Sequence, residues 1–208
     1  MKKLLVEFIG TFFLTLTVAT AAVFNTGVPY APFAIASVLM VMIYAGGHVS
    51  GAHYNPAVSL AVYLRGRSSL QDLLSYIVVQ LVAAVVAVLV AKLLVPDQGV
   101  APMTLKSSTA LLAELLFTFA LAWVVLNTAT AKATSGNSNY GLAIGFTVLA
   151  GAIAVGGISG GAFNPAVSTL LLLLGKLRFA DCCLHFPPQI LGAVIAAYTF
   201  KATHPEDR

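Results

Sequence analysis

Charge is what this sequence has least of. Only 9% of its 208 residues are Asp, Glu, Lys or Arg, where a soluble domain carries about a quarter. With 59% hydrophobic residues and a mean hydropathy of +0.94, the chain has too little polar surface to cover a water-facing globule, and it reads as an integral membrane protein. Cysteine is nearly missing as well. Cys182 and Cys183 are the only two and are adjacent, so they supply neither a disulfide framework nor a metal-ligand set, and no metal or cofactor is expected. A membrane enzyme lacks any nucleophile–base pair to build on. The eleven Lys and Arg and the net charge of +4 sit singly or in pairs at segment ends and never form a stripe, so nucleic acid is not a partner.

What the sequence does have is a repeat. Gly46-Gly47-His48-Val49-Ser50-Gly51-Ala52-His53-Tyr54-Asn55-Pro56-Ala57-Val58-Ser59 returns as Val155-Gly156-Gly157-Ile158-Ser159-Gly160-Gly161-Ala162-Phe163-Asn164-Pro165-Ala166-Val167-Ser168, with the two asparagines 109 residues apart. Each copy is a Gly-rich run, expected to bend and expose its carbonyls, followed by a helix start. Asn is a preferred N-cap and Pro suits the first helical position, where its missing N–H costs nothing. The helices that follow, Pro56 to Leu64 and Pro165 to Leu174, are only about 15 Å long at 1.5 Å per residue. That is half of a hydrocarbon core. Two half-helices in matching places of two chain halves predict inverted repeats that dip in from opposite faces, with N-termini meeting at the midplane. The repeat reaches further: Gln80 follows Asn55 by 25 residues as Gln189 follows Asn164, and Glu7 to Phe12 echoes Glu114 to Phe119.

The fold expected is an all-α membrane protein, one domain over 1–208 with halves at about 4–95 and 109–202, built from six transmembrane helices and two re-entrant half-helices. The predicted spans are Leu4–Phe24, Ala31–Ala45, Gln71–Val95, Thr109–Thr130, Tyr140–Val155 and Cys182–Ala202. Met1-Lys2-Lys3 followed by apolar residues imitates a signal peptide, but Glu7 interrupts it and the segment reads as the first span. Asn25 to Pro29 is a turn, Pro96 to Ser108 a linker that divides the halves, and Pro187-Pro188 should kink or delay the last span. With both termini inside, Lys2, Lys3, Arg65, Arg67, Lys132, Lys201 and Arg208 are cytoplasmic, against Lys92, Lys106, Lys176 and Arg178 outside. This modest positive-inside bias sets a multi-pass orientation in the cell membrane, the inner one in a bacterium.

The chain resembles the aquaporins, or major intrinsic proteins, from Glu7 to about Tyr198. The resemblance rests on His53-Tyr54-Asn55-Pro56-Ala57-Val58-Ser59 and its twin Ala162-Phe163-Asn164-Pro165-Ala166-Val167-Ser168. It implies a channel for water and small uncharged solutes in the lipid bilayer, a homotetramer with one pore per subunit, and a pore midplane of Asn55, Pro56, Ala57, Asn164, Pro165 and Ala166. Each asparagine should cap its own helix and leave its NH₂ to donate to what passes, while two helix N-termini aimed at one point oppose cations, an effect for which aquaporin pores are a known example.

Counted by the resemblance, the narrowest point comprises Ile35, Ala152, Gly161 and Val167. Most relatives carry Arg where this chain has Val167, so the filter implied is wide and apolar, open to glycerol, urea, ammonia or undissociated metalloid hydroxides. If the count slips by one, Gly151 replaces Ala152. Carbonyls of Gly51, Ala52, His53, Gly160, Gly161 and Ala162 should line one wall, with Leu39 and Val148 opposite. Glu7 and Glu114 are open to two readings. As ionisable groups within spans they could relay protons in a coupled secondary transporter with inverted repeats, the alternative function. As acceptors they would satisfy free N–H groups of the Gly-rich loops, which is favoured and is what the resemblance implies. His48, His53, Gln80 and Gln189 are expected to hydrogen-bond the loops and helices.

Overall fold

In a computed structural model, residues 1–25, 29–96 and 99–207 are described. The predicted turn from Asn25 to Pro29 lies largely outside them, as does Arg208. Every regular element of the described residues is helical, in the order α1 (Lys2–Thr17, continued by a wider π-helical turn over Val18–Val23), α2 (Ala31–Ser50), α3 (Pro56–Arg65), α4 (Leu70–Leu94), α5 (Ser107–Val125, continued by a π turn over Leu126–Thr130), α6 (Tyr140–Ser159), α7 (Pro165–Leu173) and α8 (Phe186–Thr203). A 3₁₀ stretch, Phe179–Leu184, leads into α8. Among the described residues six helices are long and apolar enough to cross a membrane, and α3 and α7 are the two that are not.

Local chemistry explains most boundaries. Asn55 and Asn164 stand in extended backbone at φ −158° and −157°, each with Pro in the first helical position. Ser69 caps α4 by accepting the Asp72 N–H at 3.0 Å. Pro187 and Pro188 fall in the first turn of α8, where no intrahelical N–H is needed, so they delay the helix rather than kink it.

One expectation fails: the Gly-rich runs are not irregular. α2 continues past Ala45 to Ser50, and α6 past Val155 to Ser159. Glycine weakens a helix in water because its backbone is freer and more exposed; in a bilayer-spanning bundle the lipid and packed neighbours offer most of that backbone no competing partner, and the i→i−4 ladder is kept even where Gly47 and Gly156 border the cavities. The helices break only at Gly51 and Gly160, both left-handed at φ 88° and 90°. The non-helical backbone of the two repeated motifs is thereby reduced to residues 51–55 and 160–164.

Packing obeys a pseudo-two-fold relation in which α1, α2, α3 and α4 correspond to α5, α6, α7 and α8. The pairs α1–α4 and α5–α8 match, α2 meets α6 across the centre, and each half-helix crosses over, α3 against α8 and α7 against α4. Small residues permit this closeness. A Cβ on Gly192 of α8 would lie 2.6 Å from the Leu115 carbonyl oxygen of α5. The halves run in opposite senses: Lys3 of α1 and Thr130 of α5 border one cavity, whereas Val23, at the other end of α1, borders a second. Both termini lie at the first of these, since Asp207 contacts Arg65, Arg67 and Lys132 while Lys3 contacts Asp72.

Candidate functional site

The site is built where the two half-helices meet end to end. Asn55 Oδ1 accepts the N–H groups of Ala57 at 2.8 Å and Val58 at 3.4 Å, and Asn164 Oδ1 accepts that of Ala166 at 2.9 Å. With the oxygens committed to capping, the amide nitrogens reach across the axis. Asn55 Nδ2 donates to the Phe163 carbonyl and Asn164 Nδ2 to the Tyr54 carbonyl, both at 2.9 Å. This corrects the expectation that each NH₂ is free for a passing molecule: one of its two hydrogens locks the halves together, and one remains. Pro56, Ala57, Pro165 and Ala166 are buried behind the asparagines and outside the cavity lining. They aim the two caps without facing the lumen.

Two carboxylates hold the loops. Glu7 Oε1 accepts Ser50 Oγ at 2.7 Å and the His53 N–H at 2.9 Å, and its Oε2 accepts the Tyr54 N–H at 2.8 Å and Gln80 Nε2 at 2.9 Å. Glu114 repeats this with Ser159 Oγ at 2.7 Å, the Ala162 N–H at 3.1 Å, the Phe163 N–H at 2.8 Å and Gln189 Nε2 at 2.7 Å. Both side chains are completely buried. Each set supports a strained loop, with Ala52 at φ 51°, Tyr54 at 48° and Phe163 at 49°, conformations that persist only when the surroundings over-determine them.

Two cavities meet at this point. One, of about 240 Å³, is lined by Asn55 and Asn164, by Ile35, Ala152, Gly161 and Val167, by Leu39 and Val148, and by Ala52, His53, Gly160 and Ala162. The other, of about 780 Å³, opens on the face that carries both termini and includes Gly51, His48, Lys3, Arg67 and Asp72. His53 and Val125 border both. Gly51 therefore belongs to the wider vestibule. Gly151 is buried outside the smaller cavity, where a Cβ would sit 2.6 Å from the Phe163 ring, so Ala152 is the residue that α6 presents there.

The histidines divide. His53 Nδ1 pairs with Ser59 Oγ at 3.0 Å, with its ring edge-on to Tyr76. His48, by contrast, is on α2 and borders the vestibule; among the described residues it makes no side-chain hydrogen bond, because the helix already satisfies the backbone it was expected to serve. A residue not singled out from sequence, His185, is fully buried with Nδ1 3.0 Å from Ser168 Oγ. It lies 109 residues after Tyr76, so the repeat offset could have flagged it. Met103 and Lys176 also border the smaller cavity, and the same offset relates Lys176 to Arg67.

Comparison with known proteins decides the family. A family model described as major intrinsic protein matches residues 1–156 and 142–207. The chain belongs to the major intrinsic protein family. This major intrinsic protein is 31% identical to Glycerol uptake facilitator protein-like 6 of Lactiplantibacillus plantarum over the whole of both chains. It is also 31% identical to Aquaporin NIP1-2 of Arabidopsis thaliana, covering all of this chain and 76% of that one. Its fold is that of the aquaglyceroporin from Plasmodium falciparum, with a TM-score of 0.82 at 21% identity over 99% of this chain and 97% of the other. It is an integral, multi-pass membrane protein and a passive channel for water and small solutes.

Proposed function

We propose that this major intrinsic protein passes neutral solutes larger than water, in the size class of glycerol, urea or an undissociated metalloid hydroxide, through a filter made by Ile35, Ala152, Gly161 and Val167. The observation that carries this reading is Val167: an apolar, largely buried side chain borders the cavity at the place where the family resemblance leads one to expect Arg. Gly161 beside it contributes only backbone, and Ala152 a methyl. Nothing at these four positions donates from a side chain or carries charge, so exclusion of cations falls mainly to the paired N-termini of α3 and α7, with Lys176 the charged residue that borders the same cavity. That a relative is named a glycerol uptake facilitator agrees with this solute class.

Glu7 and Glu114 act as loop supports in this reading. Every oxygen of both carboxylates accepts two hydrogen bonds from the loops or their neighbours, which leaves neither placed to exchange protons with the lumen. Family resemblance further suggests a homotetramer, and the basic residues suggest that both termini are cytoplasmic in the cell membrane, the inner one in a bacterium.

The test is light scattering from proteoliposomes challenged with water and then with glycerol, urea and boric acid, without an ion gradient. Val167→Arg is expected to lower flux of the larger solutes more than flux of water, because a long cationic side chain would refill the site. Equal solute flux in the parent and in a folded Val167→Arg protein would remove Val167 from the constriction.

A further inference from the structure

The linker between the halves does more than join them. Its residues from Gly99 to Lys106 form no helix, yet the Met103 N–H donates to the Lys176 carbonyl at 2.9 Å. That bond ties the linker to the loop that follows α7. Lys176 is itself fixed by its N–H on the Leu171 carbonyl at 2.8 Å, across the left-handed Gly175. Anchored in this way, the Met103 side chain turns inward, borders the smaller cavity and packs on the cluster that includes Val167 and Leu171.

The place it occupies is defined by the repeat. Gly51 and Gly160 are equivalent, both left-handed. A Cβ on Gly51 would lie 3.2 Å from the His53 ring, so the first half covers its glycine with its own histidine. The equivalent of His53 in the second half is Ala162, whose methyl cannot reach. There a Cβ on Gly160 would lie 2.8 Å from Met103 Cε and 3.0 Å from Sδ. Met103 thus fills, from another part of the chain, the space that histidine fills in the first half.

We propose that Met103 is a specificity-determining residue of the pore, a fifth wall that sets the upper size of solute passing Gly161 and Val167. The assignment rests on the smaller cavity being a conduit for neutral solutes. A thioether suits such a wall, being apolar, without a donor, and unbranched enough to fit an irregular gap. Truncating it should raise the size limit and leave water, already small enough, almost untouched.

The experiment compares polyols of increasing length in proteoliposomes of the parent, Met103→Ala and Met103→Leu. Met103→Ala is expected to raise permeability to the longest polyol that the parent barely passes by about tenfold, the low end of what a missing methylene discriminates in an apolar site. Water permeability should stay at the parent's value, and Met103→Leu, close in volume, should keep the parent's limit. An unchanged polyol-to-water ratio in Met103→Ala overturns the assignment. Should that variant fail to insert, Met103→Cys treated with a small methanethiosulfonate reagent is read against the equally treated parent, whose Cys182 and Cys183 serve as control. Before treatment Met103→Cys, with its shorter side chain, should pass longer polyols than the parent does, and the added thiomethyl group, which restores about methionine's length, should bring the limit back to the parent's; a limit that treatment does not move overturns the wall. A parent that passes no neutral solute at all refutes instead the reading of the pore.

Discussion

Replacing Glu114 with Gln exchanges one carboxylate oxygen for an NH₂ in a site where four donors converge on two oxygens. The cost depends on which way the new amide turns. If the NH₂ faces Phe163 N–H and Gln189 Nε2, two donors are opposed at once. If it faces Ser159 and Ala162, the Ser159 hydroxyl can rotate to accept, and only the Ala162 N–H is stranded. The second orientation should win, at about 1–3 kcal/mol for one buried unsatisfied donor. Glu114→Ala removes all four acceptor contacts, and on the same scale costs between about 4 and 12 kcal/mol, much of a domain's entire stability. The expected pattern is therefore graded. Glu114→Gln should lower the unfolding midpoint modestly in detergent and keep solute flux in proteoliposomes, with or without a pH gradient. Glu114→Ala should fail to accumulate as folded protein. A Glu114→Gln protein with an unshifted unfolding midpoint but no flux would refute the reasoning, since the carboxylate would then be needed for its proton and not for its loop.

Three further outcomes follow from other contacts. The Asp207 carboxyl is held down from 3.8 to about 2, chiefly by the Lys132 N–H and then by Arg65 and Arg67; its charged form is favoured in the folded state, so the attachment of the C-terminal tail is complete above the ordinary carboxylate value and is lost as pH falls through about 2. Limited proteolysis of the tail between pH 4 and 2, a window set by that depressed value, should show the release in the parent, while Asp207→Asn should already be cleaved at neutral pH. Gly192→Ala should destabilise by about 1–3 kcal/mol through overpacking, because its Cβ would meet Leu115 and Phe119 backbone atoms, whereas Gly157→Ala, with open space around it, should be neutral or slightly stabilising in thermal unfolding. Asn164→Ala deletes both the cap on Ala166 and the bond to the Tyr54 carbonyl, and should cost about 1–3 kcal/mol in the same unfolding measurement.

The sequence by itself determined what depends on neighbours along the chain. An Asn-Pro pair at the head of ten apolar residues caps a helix wherever it occurs, so α3 and α7 were legible to within a residue or so. Six apolar runs, punctuated by Gly, Pro and charge, gave the spans, and the 109-residue offset carried the symmetry that pairs Gln80 with Gln189. The four positions that the family resemblance proposes for the filter, Ile35, Ala152, Gly161 and Val167, are reached by counting, whereas only the packed bundle shows that α2, α6, α7 and the second loop bring them to one cavity.

Tertiary structure alone decided the rest. Whether Gly46, Gly47, Gly156 and Gly157 stay helical depends on the neighbours around their backbone, which only the packed bundle in its bilayer supplies. The Asn55 amide looked free because its acceptor, the Phe163 carbonyl, is 108 residues away. Met103 looked like part of a spacer because the residues it meets, Gly160 and Lys176 among them, belong to the far half of the chain, and no periodicity or spacing encodes a bond that forms only when the second half-helix has folded back against α4.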